Sequence, residues 1–467
     1  MIIDCSYVQF PTKRQYDYVV IGVGSAGILL AKRIIKKKPN AKICLIESGG
    51  TKAEEKVNNL DLFKSFKNSI NLTRSISRRI GGKSNLWDGR IISPEEEELK
   101  TWDIDINELK GYLNQALKIL GINDTRETLH ESSTAKFNAD YLGSALKDSF
   151  SSSTAFFAET TKRFGLKDLG VEALHKSNNI DLFIHADVQS LFLDSSDLKV
   201  QKVIIKDTLG AFQTNFSVKG RIFILANGGV EIIKTLMLSV GIWRKMGSLI
   251  GRNFSGHPRG VKGLIKIKSK IKSNSVLLSA TQFKDSVRSE IGLRLKSTNI
   301  NNGPISRIVL NPVSKSLHNK FYYFYRPQMS YMREYLNKNG VKENGYISGL
   351  YYYILGYLKR KLNIPEFVEF IYIRNYCGSS LNPDSKVLQE GIDKNNKPKI
   401  FVDWKISIKD KKNLKNSQLE LFKKLKDHID IEVLDSIDCS SWDLWGGSSH
   451  FMSTTVMKKN SNDGVVD

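Results

Sequence analysis

The stretch Tyr16–Gly50, YDYVVIGVGSAGILLAKRIIKKKPNAKICLIESGG, reads as a strand, a tight glycine turn, a helix and a second strand. YVVIG is a β-branched run of the kind buried on both faces of a parallel sheet. The turn is Gly22-x-Gly24-x-x-Gly27, with Ser25 between the second and third glycines. In such a turn the first glycine allows the bend, the second lets the backbone approach a pyrophosphate, and the third lets helix and strand pack closely. Phosphate then rests on the N-terminus of the helix, whose unpaired N–H groups favour negative charge. Glu47 closes the second strand 20 residues after Gly27, where an acidic side chain accepts hydrogen bonds from a ribose. A dinucleotide is therefore expected here. An acid at this point suits NAD and the ADP half of FAD equally.

The rest of the chain sets the scale. At 467 residues, with 40% hydrophobic and 25% charged residues, it is a folded protein of two domains rather than one or three. The formal charge of +23 raises the question of an anionic partner. Lysine, isoleucine and asparagine are used throughout, as in a protein encoded by an A/T-rich genome. The lysines are dispersed rather than gathered into one arm, so nucleic acid is not the expected partner. Cys5, Cys44, Cys377 and Cys439 have no CxxC spacing, and no metal site or disulfide framework is expected. The N-terminus has no basic segment followed by an apolar run, and no window of 18 apolar residues occurs. These features lead to the expectation of a cytoplasmic protein.

A second loop narrows the cofactor. Residues 78–90, from Arg78 onward, read RRIGGKSNLWDGR, in which Gly81 and Gly82, followed by Lys83, Ser84, Asn85 and Trp87, form a loop whose backbone can approach a flat anionic ligand, with small polar side chains in reach. In this loop the chain resembles the glucose-methanol-choline oxidoreductases, which have an arginine, a Gly-Gly pair, a serine and an asparagine in this order along the flavin and pyrophosphate. Further stretches extend the resemblance in the correct order. LFIHADVQSLFLD carries Val188, matching the valine whose backbone meets the adenine; GRIFILANGGVEIIKTLMLS supplies Ala226, Gly228 and Glu231; GRNFSGHP closes that segment. The segment from Asn382 is similar to the family's return to the FAD domain, and HFMSTTVM with GVVD is similar to its C-terminal signature.

The resemblance implies an α/β fold. Residues 15–260 would form the first part of an FAD-binding Rossmann-like domain, with a helical insert at about 101–180. Residues 261–430 would form a substrate-binding domain with an antiparallel sheet and helices, and residues 431–467 would return to the FAD domain. The implied activity is oxidation of an alcohol or sugar CH–OH group by hydride transfer to flavin N5, with an electron acceptor that the sequence does not specify. By the same resemblance His450 is the proton acceptor, a task suited to a group that titrates near neutrality. The family glycine three positions after it is Ser453 here. His130, His175, His185, His257, His318 and His428 are expected to be structural. Some members of the family hold FAD through a histidine near the Gly-Gly loop. Residues 75–95 contain neither His nor Cys, so non-covalent FAD is expected.

Family members continue beyond Val-Val-Asp with a closing strand and a second catalytic Asn or His, whereas this sequence ends at Asp467. That motivates one alternative, a flavin-binding remnant or subunit with little independent activity; a second enzyme reading, independent of the end, is an NAD(P)-dependent dehydrogenase.

Within the substrate domain, VKGLIKIKSK and SEIGLRLKS alternate as half-buried strands. The window 319–362 differs, with eight basic residues against Glu334 and Glu343, and ten of the protein's 17 tyrosines. Tyrosine and lysine together suit the headgroup layer of an anionic membrane, which would put the protein peripherally at the inner membrane surface. They also suit stacking on sugar or single-stranded nucleic acid. Helices that pack their tyrosines on the sheet are the plain alternative.

Overall fold

The computed structural model describes the chain apart from residues 8–13, 59–63, 66–75, 93, 95–103, 159–163, 170–178, 195–198, 211–214, 248, 274, 276, 279–280, 283–287, 297–305, 326–329, 363, 393–397, 439–449, 453, 459–464 and 466–467. Cys439 and His175, and Ser453 of the C-terminal motif, lie outside the described residues.

Tyr16–Gly50 folds as its periodicity requires. Strand Gln15–Ile21 leads through the glycine turn into helix Ser25–Lys37, and strand Ile43–Ile46 returns parallel to the first, with Tyr18 opposite Ile43 and Ile21 opposite Ile46. All four side chains of Ile43–Ile46 are buried, as expected of a strand covered on both faces. The sheet grown around this unit runs Ile2–Asp4, Ile180–Ile184, Ile43–Ile46, Gln15–Ile21, Phe216–Leu225, Val200–Asp207, Ala186–Leu193. Its first five strands are parallel and the last two antiparallel. One face packs on helix Ser25–Lys37 through Val20, Ile28, Ala31 and Leu45. The other packs on helix Gly229–Leu238 and on two separate later segments, through Trp404 and Phe451.

The second sheet is antiparallel and runs Ile431–Asp435, Arg259–Lys272, Phe367–Cys377, Ser306–Val313, Arg288–Leu295, Phe150–Phe157, Arg90–Ile92. The two alternating stretches in VKGLIKIKSK and SEIGLRLKS are strands of this sheet. Its core holds Ile265, Ile291, Leu293, Leu310 and Ile373 against Leu421, Phe422 and Leu425 of helix Ile408–Lys426. Three strands in it come from outside residues 261–430. Phe150–Phe157 and Arg90–Ile92 pair along one edge, and Ile431–Asp435, grouped by sequence with the return to the FAD domain, pairs instead with Arg259–Lys272. The reason is burial. Ile431 and its neighbour Ile429 pack into the core under helix Ile408–Lys426, which directly precedes them.

The mixed α/β architecture, one sheet built around parallel strands and one antiparallel sheet with helices, is the fold class expected from the sequence. Among the described residues no helix is long and apolar enough to cross a membrane.

Candidate functional site

The two glycine loops, more than fifty residues apart in sequence, are in direct contact. Gly24 forms an isolated parallel bridge with Gly81, and the N–H of Gly81 donates to the carbonyl of Val23 at 2.8 Å. Gly82 completes the pairing: a Cβ on it would lie 3.1 Å from the Cα of Gly24. Gly22, Gly81 and Gly82 have φ of +95°, +91° and +52°, a region that side chains with a Cβ rarely enter. A Cβ on Gly27 would fall 2.1 Å from the carbonyl oxygen of Gly22, so the third glycine is what allows the helix to sit against the turn. Helix Ser25–Lys37 begins with Gly24 as N-cap, and no side chain caps it. Its first N–H groups, with Ser25 at the first helical position, are the anion-favouring end of the dipole.

Beside this cradle, the N–H of Ala226 donates to the carbonyl of Ile21 at 2.7 Å. A Cβ on Gly22 would meet the Cα of Asn227 at 2.5 Å. Gly228, with φ +88°, caps helix Gly229–Leu238. Gly22, Gly24, Ser25, Gly27, Gly81, Gly82, Ala226 and Gly228 therefore converge on one place at the carboxyl ends of the parallel strands, where α/β sheets bind ligands.

The polar residues of the motifs hold this backbone. Glu47 is buried, with Oε2 accepting from the N–H of Val23 at 2.9 Å and Oε1 from that of Gly49 at 3.1 Å. Burial pushes its carboxyl above the ordinary glutamate range, against the pull of those backbone donors. Ser84 Oγ donates to the carbonyl of Gly81 at 2.7 Å and accepts from the N–H of Phe164 at 3.0 Å. Asn85 Nδ2 donates to the carbonyls of Ile80 and Gly82 at 3.1 and 2.9 Å. Arg78 is buried and donates to the carbonyls of Val57 and Asn58 and to Glu231 Oε1 at 2.6 Å, which ties the second loop to helix Gly229–Leu238. Val188 is buried in strand Ala186–Leu193, whose first residue donates its N–H to the carbonyl of Glu47 at 2.9 Å.

The C-terminal motif reaches the same place by a different route. Met452 exchanges backbone hydrogen bonds with Ser255 at 2.9 and 3.1 Å, and Phe451 stacks on Phe254 with ring centroids 5.2 Å apart. Thr454 Oγ1 donates to the carbonyl of Gly229 at 3.2 Å. A Cβ on Gly229 would lie 2.8 Å from the carbonyl oxygen of Phe451, so the segment runs hard against the start of the helix that Gly228 caps. His450 is thereby held next to the glycine cradle with its side chain accessible.

Two basic residues share this position. The ring of His257 meets that of His450 edge-on at 5.6 Å, and Lys83 Nζ lies 5.0 Å above the ring of Phe451. Desolvation takes the Lys83 ammonium down to about 8 despite the nearby carboxylate of Glu231. Desolvation, then the charges of His257, Lys83 and Arg259, hold His450 below the ordinary histidine range. His257 is lowered by burial and by Arg259. These effects favour the neutral imidazole of His450.

The sequence reading did not place His257 here. Its only local signal is the GHP triplet, in which Pro258 biases His257 towards extended backbone. Two other histidines are satisfied elsewhere. His318 bonds the hydroxyl of Tyr323 and the carbonyl of Val341, and His185 lies between the carboxylates of Asp4 and Glu54.

The groups present fit an FAD. The cradle is a surface of bare backbone in which a Cβ at Gly24 would meet nothing nearer than Gly82 Cα at 3.9 Å. The buried Oδ1 of Asn227, whose Cα lies against Gly22, has no hydrogen-bond partner.

Comparison with known proteins gave no matching family model and no match among curated proteins. Among solved structures, the chain is similar to pyridoxine 4-oxidase from Mesorbium loti, with 14% identity and a TM-score of 0.54, over 97% of this chain and 91% of that one. It is also similar to a formate oxidase from Aspergillus oryzae, in a structure concerned with FAD modification, with 15% identity and a TM-score of 0.51, over 98% of this chain and 91% of that one. The chain has the fold of these two oxidases over nearly its whole length.

Proposed function

We propose that the protein is an FAD-dependent oxidoreductase that acts on the CH–OH group of a small alcohol or sugar. The observation that carries this reading is the convergence of two back-to-back glycine loops with an accessible His450 at their edge. The N-terminus of helix Ser25–Lys37 would hold the pyrophosphate and Glu47 the ribose. Gly81, Gly82 and the loop they begin would lie along the ring system, and Val188 near the adenine. FAD, when bound, supplies a hydride acceptor.

His450 takes the hydroxyl proton of the substrate as the adjacent C–H is oxidised, and its lowered pKa keeps it free to do so at neutral pH. The ammonium of Lys83 places positive charge beside this position, which favours a developing alkoxide over a neutral hydroxyl. The cofactor is proposed to be non-covalent, because residues 75–95 offer no His or Cys.

Purified protein should carry a yellow chromophore that gentle denaturation releases intact, and small alcohols or sugars should bleach it anaerobically. A colourless protein that binds NAD(P)H would turn the assignment towards a nicotinamide dehydrogenase. A yellow protein that no alcohol or sugar bleaches would turn it towards a flavin-binding subunit without catalysis.

A further inference from the structure

The tyrosine- and lysine-rich segment divides into an inner and an outer part. Helix Ser330–Lys338 buries Met332 and Leu336 on the second sheet, where Tyr323 and Tyr372 join them. Helix Tyr346–Lys361 lies outside it and is packed the wrong way round for a helix that ends in water. Its inner face closes on two glycines, with Tyr352 half-buried beside them. A Cβ on Gly349 would lie 3.1 Å from Asn319, and one on Gly356 would lie 2.3 Å from Ser316.

Its outer face carries Ile347, Leu350, Tyr351, Ile354, Tyr357 and Leu358, all exposed, with Ile347 at 90%. At about 100° per residue these positions span an arc of about 120°. A surface helix ordinarily turns such a stripe to the core. A contiguous apolar face of this kind marks a contact with something else.

The rim of the face is basic. The helix contains no acidic residue. Lys320 Nζ sits 4.6 Å over the ring of Tyr346, Lys315 Nζ 5.3 Å over Tyr352, and Lys361 Nζ 5.2 Å over Tyr357. Three carboxylates of the flanking segments are engaged: Glu343 takes a two-pronged bond from Arg333, Glu366 accepts from Ser314 and Ser316, and Glu369 pairs with Lys315.

We propose that this helix is a docking surface for an anionic lipid bilayer, lying flat at the interface with its apolar face among the acyl chains and its lysine rim on the phosphates. At 16 residues it is too short to span the hydrocarbon and long enough to lie along it. The charge chooses the occupant. A second copy of a chain with a net charge of +23 would bring rim against rim, whereas lipid phosphate neutralises it.

The experiment is co-sedimentation of the full-length protein with phosphatidylcholine vesicles, with and without phosphatidylglycerol, at low and high salt. Anionic vesicles should carry the protein down, zwitterionic ones much less, and salt should weaken the binding. Ile347→Glu with Ile354→Glu should reduce partitioning about tenfold or more while circular dichroism and flavin content stay as in the parent. Lys320→Glu with Lys361→Glu should abolish the preference for anionic lipid. Equal sedimentation by the Ile347/Ile354 variant overturns the proposal. So does a parent protein that ignores both vesicle types, or one that forms a dimer which Ile354→Glu dissociates without any vesicle binding.

Discussion

The imidazole of His257 meets that of His450 edge to face, with centroids 5.6 Å apart and planes at 89°, although 193 positions separate the two residues. The contact exists because Ser255 and Met452 pair backbone to backbone and set both rings on the same side. A charge on either imidazole raises the cost of a charge on the other.

That coupling sets the pH profile. His450 works as a base only when unprotonated, and its pKa is lowered first by desolvation and then by His257. The kcat/KM for an alcohol should therefore rise with pH on the acid side, with its midpoint below the ordinary histidine value of about 6.5. In His257→Asn the neighbouring charge is lost, the pKa of His450 rises, and the acid limb should move to higher pH. An unmoved limb would show that His450 is not the group titrating.

Removal of the base itself should separate chemistry from binding. His450→Ala is expected to lower the rate of anaerobic cofactor reduction about 10²–10⁴-fold while leaving cofactor content unchanged, because the cradle is built from other segments. Stopped-flow reduction beside the absorbance ratio of cofactor to protein measures both.

The two glycines at the turn should respond in opposite ways. Gly22→Ala places a Cβ 2.5 Å from Asn227 at a φ of +95°, and the left-handed backbone alone costs about 1–3 kcal/mol. A loss of melting temperature in the cofactor-free protein is expected. Gly24 has ordinary φ and no close neighbour, so Gly24→Ala should keep the cofactor-free melting temperature and lose cofactor affinity. If both variants melt alike and bind alike, the loop is not a ligand cradle.

Glu290 joins the loop that follows Gly82 to the second sheet. Its carboxylate receives Arg307 at 3.1 Å and Arg374 at 2.6 Å, with Arg90 at 3.7 Å. Burial raises its pKa, but the three guanidinium groups outweigh that and take it down to about 2. A depressed carboxylate pKa contributes stability above the unfolded value, near 4.3, and that contribution fades as pH falls towards 2. Glu290→Gln leaves Arg307 buried without its counter-charge, and denaturant melts at neutral pH should register a loss of about 3–5 kcal/mol. Near pH 2 parent and variant should converge.

What the sequence by itself determined is the local chemistry. Strand, glycine turn, helix, second strand and Glu47 follow from periodicity and from conformations open only to glycine, both of which act over a few residues. The alternating strands of the second sheet are legible for the same reason. Only the tertiary structure decided which of these elements meet. Nothing local in Gly24 or Gly81 says that they bridge, in GHP that His257 abuts His450, or in Ile431–Asp435 that it joins the second sheet. Arg78 reads as a ligand-facing arginine in its loop, and in the fold it spends its guanidinium on Glu231 and two carbonyls. The outward face of helix Tyr346–Lys361 is of the same kind. Its residues are those of a core helix, and it faces outward because Gly349 and Gly356 let its other side approach Asn319 and Ser316 more closely than large side chains would allow. Contacts between distant segments are settled by which packing buries the most surface without leaving polar groups unpaired, and that competition is not written in any one stretch of the chain.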